Sequence, residues 1–588
     1  MRKFLSLLLA LVMVLCCIPA VAETADGVYE GTGAGLNGQI KVSVTVSGGK
    51  ITEVKVLEHS ETAGISDPAI EKIPAAIVEA QSADVDIVSG ATFTSKGIIE
   101  AVKNALNPDE AKEATMPFEQ ADVLVIGAGM AGLATAARAA ELGLNVLVVD
   151  QAATYGGSAN VAGGTLLGAG TRMQKEAGIE DDPDLCFADF VRLGGAGTFN
   201  EEIAREFSQI SGEAVDWLDD LGTDFGDRVP YFGVYQPLNV ARNYSGKGGA
   251  RAFVVSLYAE LEKYFSTNAY MMLNTYVTGL VTNDEGAVIG AKARLADGTE
   301  TTLLAPATVV CTGGYGGSEE LLNKYNFENV LSTSPACVTG DGYAWLEELG
   351  APLTNMDFCT AYAGGIPTSD DFRSFGYFNA TNGALWINTN GERMANETGA
   401  DSHVKSETWA NAPHNIVYTV FSSEMLIPDA KVFSTGAWGS VKEEFDPYVE
   451  SLIEKGLAWK ADTIEELAEK VDLPVDAFKA TIAAYNDGCA NGNDPFGRTK
   501  QEVAMANGPF YAVKTVPYVM ITCGGPMMTK NCEVLNSDGL VIEGVYMAGE
   551  IVGMANVGGR NSIGGMGHGN CLVWGKKAAE VIAAKLGK

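Results

Sequence analysis

From Gln39 to Val46 the chain reads Gln-Ile-Lys-Val-Ser-Val-Thr-Val, with apolar and polar residues alternating at a period of two, and the alternation resumes from Ile51 to Leu57 after Gly48-Gly49. This pattern predicts a hairpin on a half-buried sheet. A helical stretch follows near Pro68 to Ala80, and Ser95 to Leu106 carries Ile98, Ile99, Val102, Ala105 and Leu106 at helical spacing. Between Asn107 and Gln120, prolines and acidic residues replace the periodic pattern and predict a linker.

The next segment is the most regular in the chain. Val123-Leu124-Val125-Ile126 runs into Gly127-Ala128-Gly129-Met130-Ala131-Gly132, then an Ala-rich helix to Leu142, a stop at Gly143, and Val146-Leu147-Val148-Val149 ending at Asp150. Those residues predict a βαβ unit. A β-rich stretch lies near Met271 to Arg294, with Thr278 to Ala293 as strand, turn and strand, and a later strand ends at Val309-Val310-Cys311. From about Met356 to Pro517 the pattern is mixed, after which strand, glycine loop and helix return. The return predicts one domain inserted into another.

Composition narrows the functions available. The 588 residues include 69 glycines and carry a formal charge of −34, which repels nucleic acid and anionic lipid, so no nucleic-acid partner is expected. Residues 1–22 hold Arg2 and Lys3, an apolar run from Phe4 to Ile18, and Ala20-Val21-Ala22, the layout of a cleaved signal peptide. The apolar run is short for a membrane span, and Leu15 ahead of Cys16 is too bulky for a lipidation signal. Export to the cell surface or periplasm is therefore expected. No pair of cysteines after residue 22 has C-x-x-C spacing, which leaves c-type haem and clustered iron–sulfur sites unsupported. Wide spacing and apolar neighbours suit buried free thiols as well as disulfides, and no bridge is assigned. The four histidines have no metal-site spacing, so no metal is expected.

The glycines define the chemistry. Gly127 allows a tight turn, Gly129 lets the backbone approach a pyrophosphate, and Gly132 lets helix and strand pack, with Met130 and Ala131 opening the helix. Asp150 lies where a carboxylate accepts from ribose hydroxyls. Gly156-Gly157-Ser158 and Gly163-Gly164 come just after it, Thr312-Gly313-Gly314 ends a strand, and Gly549-Glu550 and Gly564-Gly565 open the last helix. Four such loops suit an extended flavin dinucleotide, FAD, rather than NAD, and Val277 in the β-rich stretch is counted among its contacts.

With those motifs in place the chain resembles the soluble fumarate reductase/flavocytochrome c group of FAD enzymes, fused to an FMN-binding domain as in urocanate reductases. The resemblance implies an α/β, Rossmann-like FAD/NAD(P)-binding fold with an inserted α+β capping domain and a small α+β N-terminal FMN-binding domain. The implied boundaries are a signal peptide at 1–22, FMN-binding domain at 23–107, linker at 108–120, FAD-binding domain at 121–355 and 516–588, and capping domain at 356–515. Asp86-Ile87-Val88-Ser89-Gly90-Ala91-Thr92 resembles the acceptor site of flavin transferases, with Thr92 taking FMN covalently and Thr94 its nearest competitor. His59-Ser60-Glu61-Thr62 resembles a segment lining that FMN. FAD would be non-covalent. The partners implied are a small-molecule electron acceptor, an extracytoplasmic or membrane-bound donor, and a flavin transferase, as in anaerobic respiration.

The resemblance fails at the substrate. Where the family has its proton-donating arginine, after Gly391-Glu392-Arg393, this chain has Ala400-Asp401-Ser402-His403, and Ile521 replaces a histidine. The clamping Glu and Arg expected before Asn382 fall at Tyr377 and Ala380. Only Arg560 survives, to fix substrate charge or flavin O2. A site without those cations cannot pair two carboxylates, which argues against fumarate and favours a more aromatic pocket and a neutral or monoanionic enone. Tyr362 is the expected proton donor, with Asp401 and His403 as alternatives. The expected activity is reduction of an activated C=C bond. A ketosteroid-type dehydrogenase and an electron carrier without substrate chemistry are the alternatives.

Overall fold

The computed structural model describes residues 25–588 except 36–38, 60, 62–65, 89–90, 107–115, 234–237, 326, 378–382, 398–406, 410, 427–430, 434–441 and 499–502. The expected signal peptide at 1–22, Ser89, Gly90, Asp401 and His403 therefore lie outside the described residues. For Thr92 and Tyr377 the main chain alone is described. The chain divides into two compact units.

The first unit is a three-stranded antiparallel sheet, β1 (Gly27–Ala34), β2 (Gln39–Ser47) and β3 (Lys50–Glu58), with α1 (Asp67–Ala80) and α2 (Thr92–Leu106) on it. The hairpin falls where the alternation placed it: Ile40, Val42, Val44 and Val46 face a core shared with Ile73, Ile77, Ile98 and Val102. Strand β1 was not read from the sequence because Gly31 and Gly33 look like turn residues. Both are instead contact points. A Cβ on Gly31 would lie 2.2 Å from the Ala101 carbonyl oxygen, and one on Gly33 would lie 2.2 Å from that of Gly97. Helix α2 also begins earlier than its periodicity suggested, at Thr92.

The second unit contains a six-stranded sheet. Its elements include β4 (Val123–Ile126), α3 (Met130–Glu141), β5 (Val146–Val149), β6 (Thr165–Leu167), β7 (Asn243–Ser245), β8 (Ala269–Met272), β9 (Tyr276–Thr282), β10 (Val288–Arg294), β11 (Glu300–Leu304) and β12 (Ala307–Val310). Strands β4, β5 and β12 are buried along their whole length, which explains their unbroken apolar runs. Strands β9 to β11 form a separate antiparallel sheet, and β6 pairs with β7.

A large mixed sheet is inserted before the last strands return. It includes β13 (Cys359–Ile366), β14 (Leu385–Asn388), β15 (Val417–Ser422) and the long β16 (Phe510–Thr522), which pairs with both β13 and β15. Its own core is filled by Leu385, Val420, Phe421, Leu452, Phe478 and Val513. The chain then re-enters the first sheet with β17 (Glu533–Leu535) and β18 (Val541–Met547), giving the order β17-β18-β12-β4-β5-β8. The final helix, α4 (Met566–Lys585), packs against α3. This is the Rossmann-like fold with an inserted capping domain. Among the described residues no helix is long and apolar enough to cross a membrane.

Candidate functional site

The carboxyl ends of β4, β5, β12 and β18 bring the four glycine loops together. Gly127 has φ +109, and a Cβ there would lie 2.3 Å from the Cys311 carbonyl oxygen at the end of β12. A Cβ on Gly132 would lie 1.7 Å from the Gly127 carbonyl oxygen, so α3 can close on its own loop only without a side chain. Asp150 reaches back into the turn and accepts from the Ala128 N–H at 2.6 Å. The second loop joins the first through a parallel bridge between Gly129 and Gly156, with the Gly156 N–H donating to the Ala128 carbonyl at 2.7 Å. Gly157 approaches Gly129 closely and Ser158 follows on a short 3-10 turn.

Two other positions are open. A Cβ on Gly129 or on Gly163 would meet nothing within 4 Å. Main chain facing free space at the head of α3, with the helix amides behind it, is a cradle for a pyrophosphate. Gly164, by contrast, is packed against Gly249 and Ala250. The residues fit an FAD group along these loops.

The third and fourth loops meet at Glu550. Its Oε1 accepts from the Thr522 N–H at 2.9 Å and from the Thr522 Oγ1 at 2.7 Å, and a Cβ on Gly314 would lie 2.1 Å from it. Burial pushes this carboxyl above its ordinary value while the Thr522 donors pull it back. Thr312 and Gly313 (φ +78) lead into this contact. Gly549 (φ +96) lies against Ala131, near Met130 at the start of α3. Gly565 (φ +83) caps α4 against Leu167, and Gly564 before it is buried. Val277 buries its side chain beside Leu147 and Val149, so any ligand contact there falls to its main chain.

His568, expected from its place at the start of the last helix to lie against the flavin edge, is in the first turn of α4. Its Nδ1 lies 2.8 Å from the Thr165 carbonyl, so the neutral ring carries its proton on Nδ1, and burial lowers its pKa from the ordinary value. Tyr362 sits on β13 opposite Tyr518 of β16, with ring centroids 5.3 Å apart, and Tyr518 packs on Phe375 at 5.1 Å. The ladder is irregular after Tyr362, which sets that side chain at a break in the sheet.

Arg560 was expected to face substrate charge or a flavin oxygen. Its described partner is Asp357, and the Arg560 guanidinium holds that carboxyl below its usual range. The two residues are 203 positions apart, so no local pattern could have paired them. Thr360 and Ser562 lie beside this pair, their hydroxyl oxygens 3.2 Å apart.

In the first unit, Thr92 is the first residue of α2, where helix amides favour a phosphate. The competing hydroxyls are engaged. Thr94 is buried and donates to Glu61, and Ser95 donates to the Ala91 carbonyl at 2.8 Å while accepting from the Val88 N–H at 3.1 Å. His59 Nδ1 accepts from the Glu61 N–H at 3.2 Å, while Asp86 is exposed and Ala91 buried. All eight cysteines from Cys186 to Cys571 are free, and among the described residues no cluster is placed to hold a metal.

Comparison with known proteins agrees with this layout. The FAD binding domain family matches residues 122–567, and the FMN-binding domain family matches residues 35–107. The chain is 28% identical to the urocanate reductase of Eggerthella lenta, across 96% of this chain and 93% of that one. It is 28% identical to the NADH:acrylate oxidoreductase of Vibrio harveyi, across 94% of this chain but only 61% of the longer relative. An open-conformation flavocytochrome c3 fumarate reductase superposes with a TM-score of 0.59 at 25% identity, over 85% of this chain and 84% of that one. A 3-ketosteroid delta1-dehydrogenase from Sterolibacterium denitrificans shares the fold, with a TM-score of 0.64 at 19% identity over 80% of this chain and 100% of that one.

The geometry separates a folding glycine from a ligand-facing one. Gly129→Val should leave apo-protein melting close to wild type yet abolish retention of yellow FAD through gel filtration, whereas Gly132→Val should destabilise the fold itself, by about 1–3 kcal/mol or more. Equal FAD retention in Gly129→Val would contradict the cradle. In the first unit, Thr92→Ala should lose the covalent FMN mass and Thr94→Ala should keep it, read by intact-mass spectrometry.

Proposed function

Since the chain belongs to the FAD binding domain family, we propose that it is an exported two-flavin oxidoreductase of the CH–CH class that reduces an activated C=C bond of a small organic acceptor. The observation that carries this reading is the presence, on one chain, of an FMN-binding unit and an FAD-binding fold capped by an inserted domain. An acceptor-reducing enzyme outside the cytoplasm has no dissociable NADH to draw on, and a tethered flavin gives electrons a fixed entry. Bound in their sites, covalent FMN and non-covalent FAD would supply electron passage to FAD and hydride delivery to the acceptor.

The chain's own residues supply position and protons. The glycine loops hold main chain against the dinucleotide, and the amides opening α4 stabilise negative charge at the loop around Gly565. Tyr362 is the proposed proton donor. Its ring packs against Tyr518, which in turn packs on Phe375, and a phenol can protonate the carbon next to a hydride acceptor. Asp401 and His403 remain alternative donors, and Arg560 pairs with Asp357 where the cap begins.

Acrylate, urocanate and fumarate, the acceptors in the relatives' names, each contain a conjugated C=C bond, which supports the reaction class. Tyr362, Tyr518, Phe375 and Phe358 favour a planar, largely apolar acceptor, neutral or singly charged. The leader at 1–22 supports export, with an extracytoplasmic or membrane-bound electron donor and a flavin transferase as maturation partner. The chain spans 61% of the Vibrio oxidoreductase, so the NADH of that name is not carried over.

Anaerobic enzyme supplied with reduced viologen should oxidise it with at least one member of a panel of enoates and enones; no oxidation with any acceptor would refute the reading. Tyr362→Phe should lower kcat by about 10²–10⁴-fold while retaining FAD, as expected for loss of a general acid. Undiminished turnover would transfer the role to another group.

A further inference from the structure

The Arg560 guanidinium forms a two-pronged pair with Asp357, Nη1 to Oδ1 at 2.7 Å and Nη2 to Oδ2 at 3.1 Å. Asp357 lies two residues before β13, and Arg560 lies on the loop between Gly558 and Gly564. The pair therefore crosses from the last glycine loop of the dinucleotide fold to the first strand of the cap sheet. Alongside it the Thr360–Ser562 contact closes the same seam. The guanidinium carbon stands 5.0 Å from the Phe358 ring centroid. Both charged side chains remain open to solvent, at 39% and 56% exposure. A pair this exposed contributes little to folding.

Its effect on ligands is larger. Arginine recognises a carboxylate through its planar fork, and here a carboxylate of the protein already fills that fork. Glu407 adds a second negative charge within electrostatic reach of Arg560. An acceptor ending in a carboxylate would meet two like charges and would have to displace a bonded anion to reach the cation. A neutral carbonyl carries no such penalty and can still accept from an outward N–H.

We propose that Asp357 is a specificity-determining residue which, by occupying Arg560, selects acceptors uncharged at the end that meets this seam over those ending in a carboxylate. The inference rests on the reading of the chain as a C=C reductase and adds the substrate class. Asp357 has no motif of its own, and its partner lies at the far end of the chain.

The test compares wild type, Asp357→Asn and the double variant Asp357→Asn/Arg560→Gln in the reduced-viologen assay at fixed ionic strength. Acrylate and fumarate serve as carboxylate acceptors, and methyl vinyl ketone and cyclohexenone as neutral ones. The ratio of kcat/KM for carboxylate over neutral acceptors should rise about ten- to a hundredfold in Asp357→Asn, the range of a charged hydrogen-bonded contact, and fall back in the double variant. An unchanged ratio, or a gain that survives loss of the arginine, overturns the proposal. If wild type oxidises viologen with no acceptor, the reductase reading fails on its own. Specificity at the seam is then read by titrating propionate against the flavin absorbance. Tighter propionate binding by Asp357→Asn supports the role of Asp357, and equal affinity overturns it.

Discussion

The second unit depends on main chain meeting main chain at the carboxyl ends of its parallel strands. Gly127 against Cys311, Gly132 against Gly127 and Gly164 against Gly249 are approaches in which a single Cβ would collide with backbone. Sheet order places these loops side by side, and the absent side chains let them touch. Packing density is therefore set by backbone, while the faces turned outward at Gly129 and Gly163 stay free for a ligand. The same residue type serves both purposes, and only its surroundings distinguish them.

That distinction explains what could be read from the chain. The βαβ unit was legible because its apolar runs, glycine spacing and Asp150 are local, and the structure puts all of them in one turn. The hairpin of the first unit was legible for the same reason. Strand β1 was not, because Gly31 and Gly33 carry no alternation and their reason for being glycine lies on α2. The inserted sheet was equally opaque in detail. Strand β16 pairs with β13 and β15, about 90 to 160 residues earlier in the chain, and no short-range pattern encodes such a register.

The candidate chemistry divides along similar lines. Thr92 could be singled out by a motif, and its neighbours Thr94 and Ser95 could be set apart only by seeing what their hydroxyls bond. Arg560 could be noticed by its distance from Gly549, whereas Asp357 could not, since an aspartate ahead of a phenylalanine signals nothing by itself. Glu550 was legible as part of a glycine loop, but its bond to Thr522 joins the last loop to the end of the cap's long strand. Residues that act through a covalent or main-chain motif were readable, and those that act by meeting a distant side chain were not.

The long strand β16 has a mechanical consequence. Its middle carries Tyr518 opposite Tyr362, and its last residue, Thr522, holds the carboxylate of Glu550. A rigid extended ribbon thus joins the aromatic wall of the cap to the glycine loop that carries Glu550, the roof to its ledge. The roof cannot slide along that ribbon without tugging on the ledge, and the Asp357–Arg560 clasp lies at the same end, since Cys359 pairs with Thr522 and the Cys523 N–H donates to the Phe358 carbonyl.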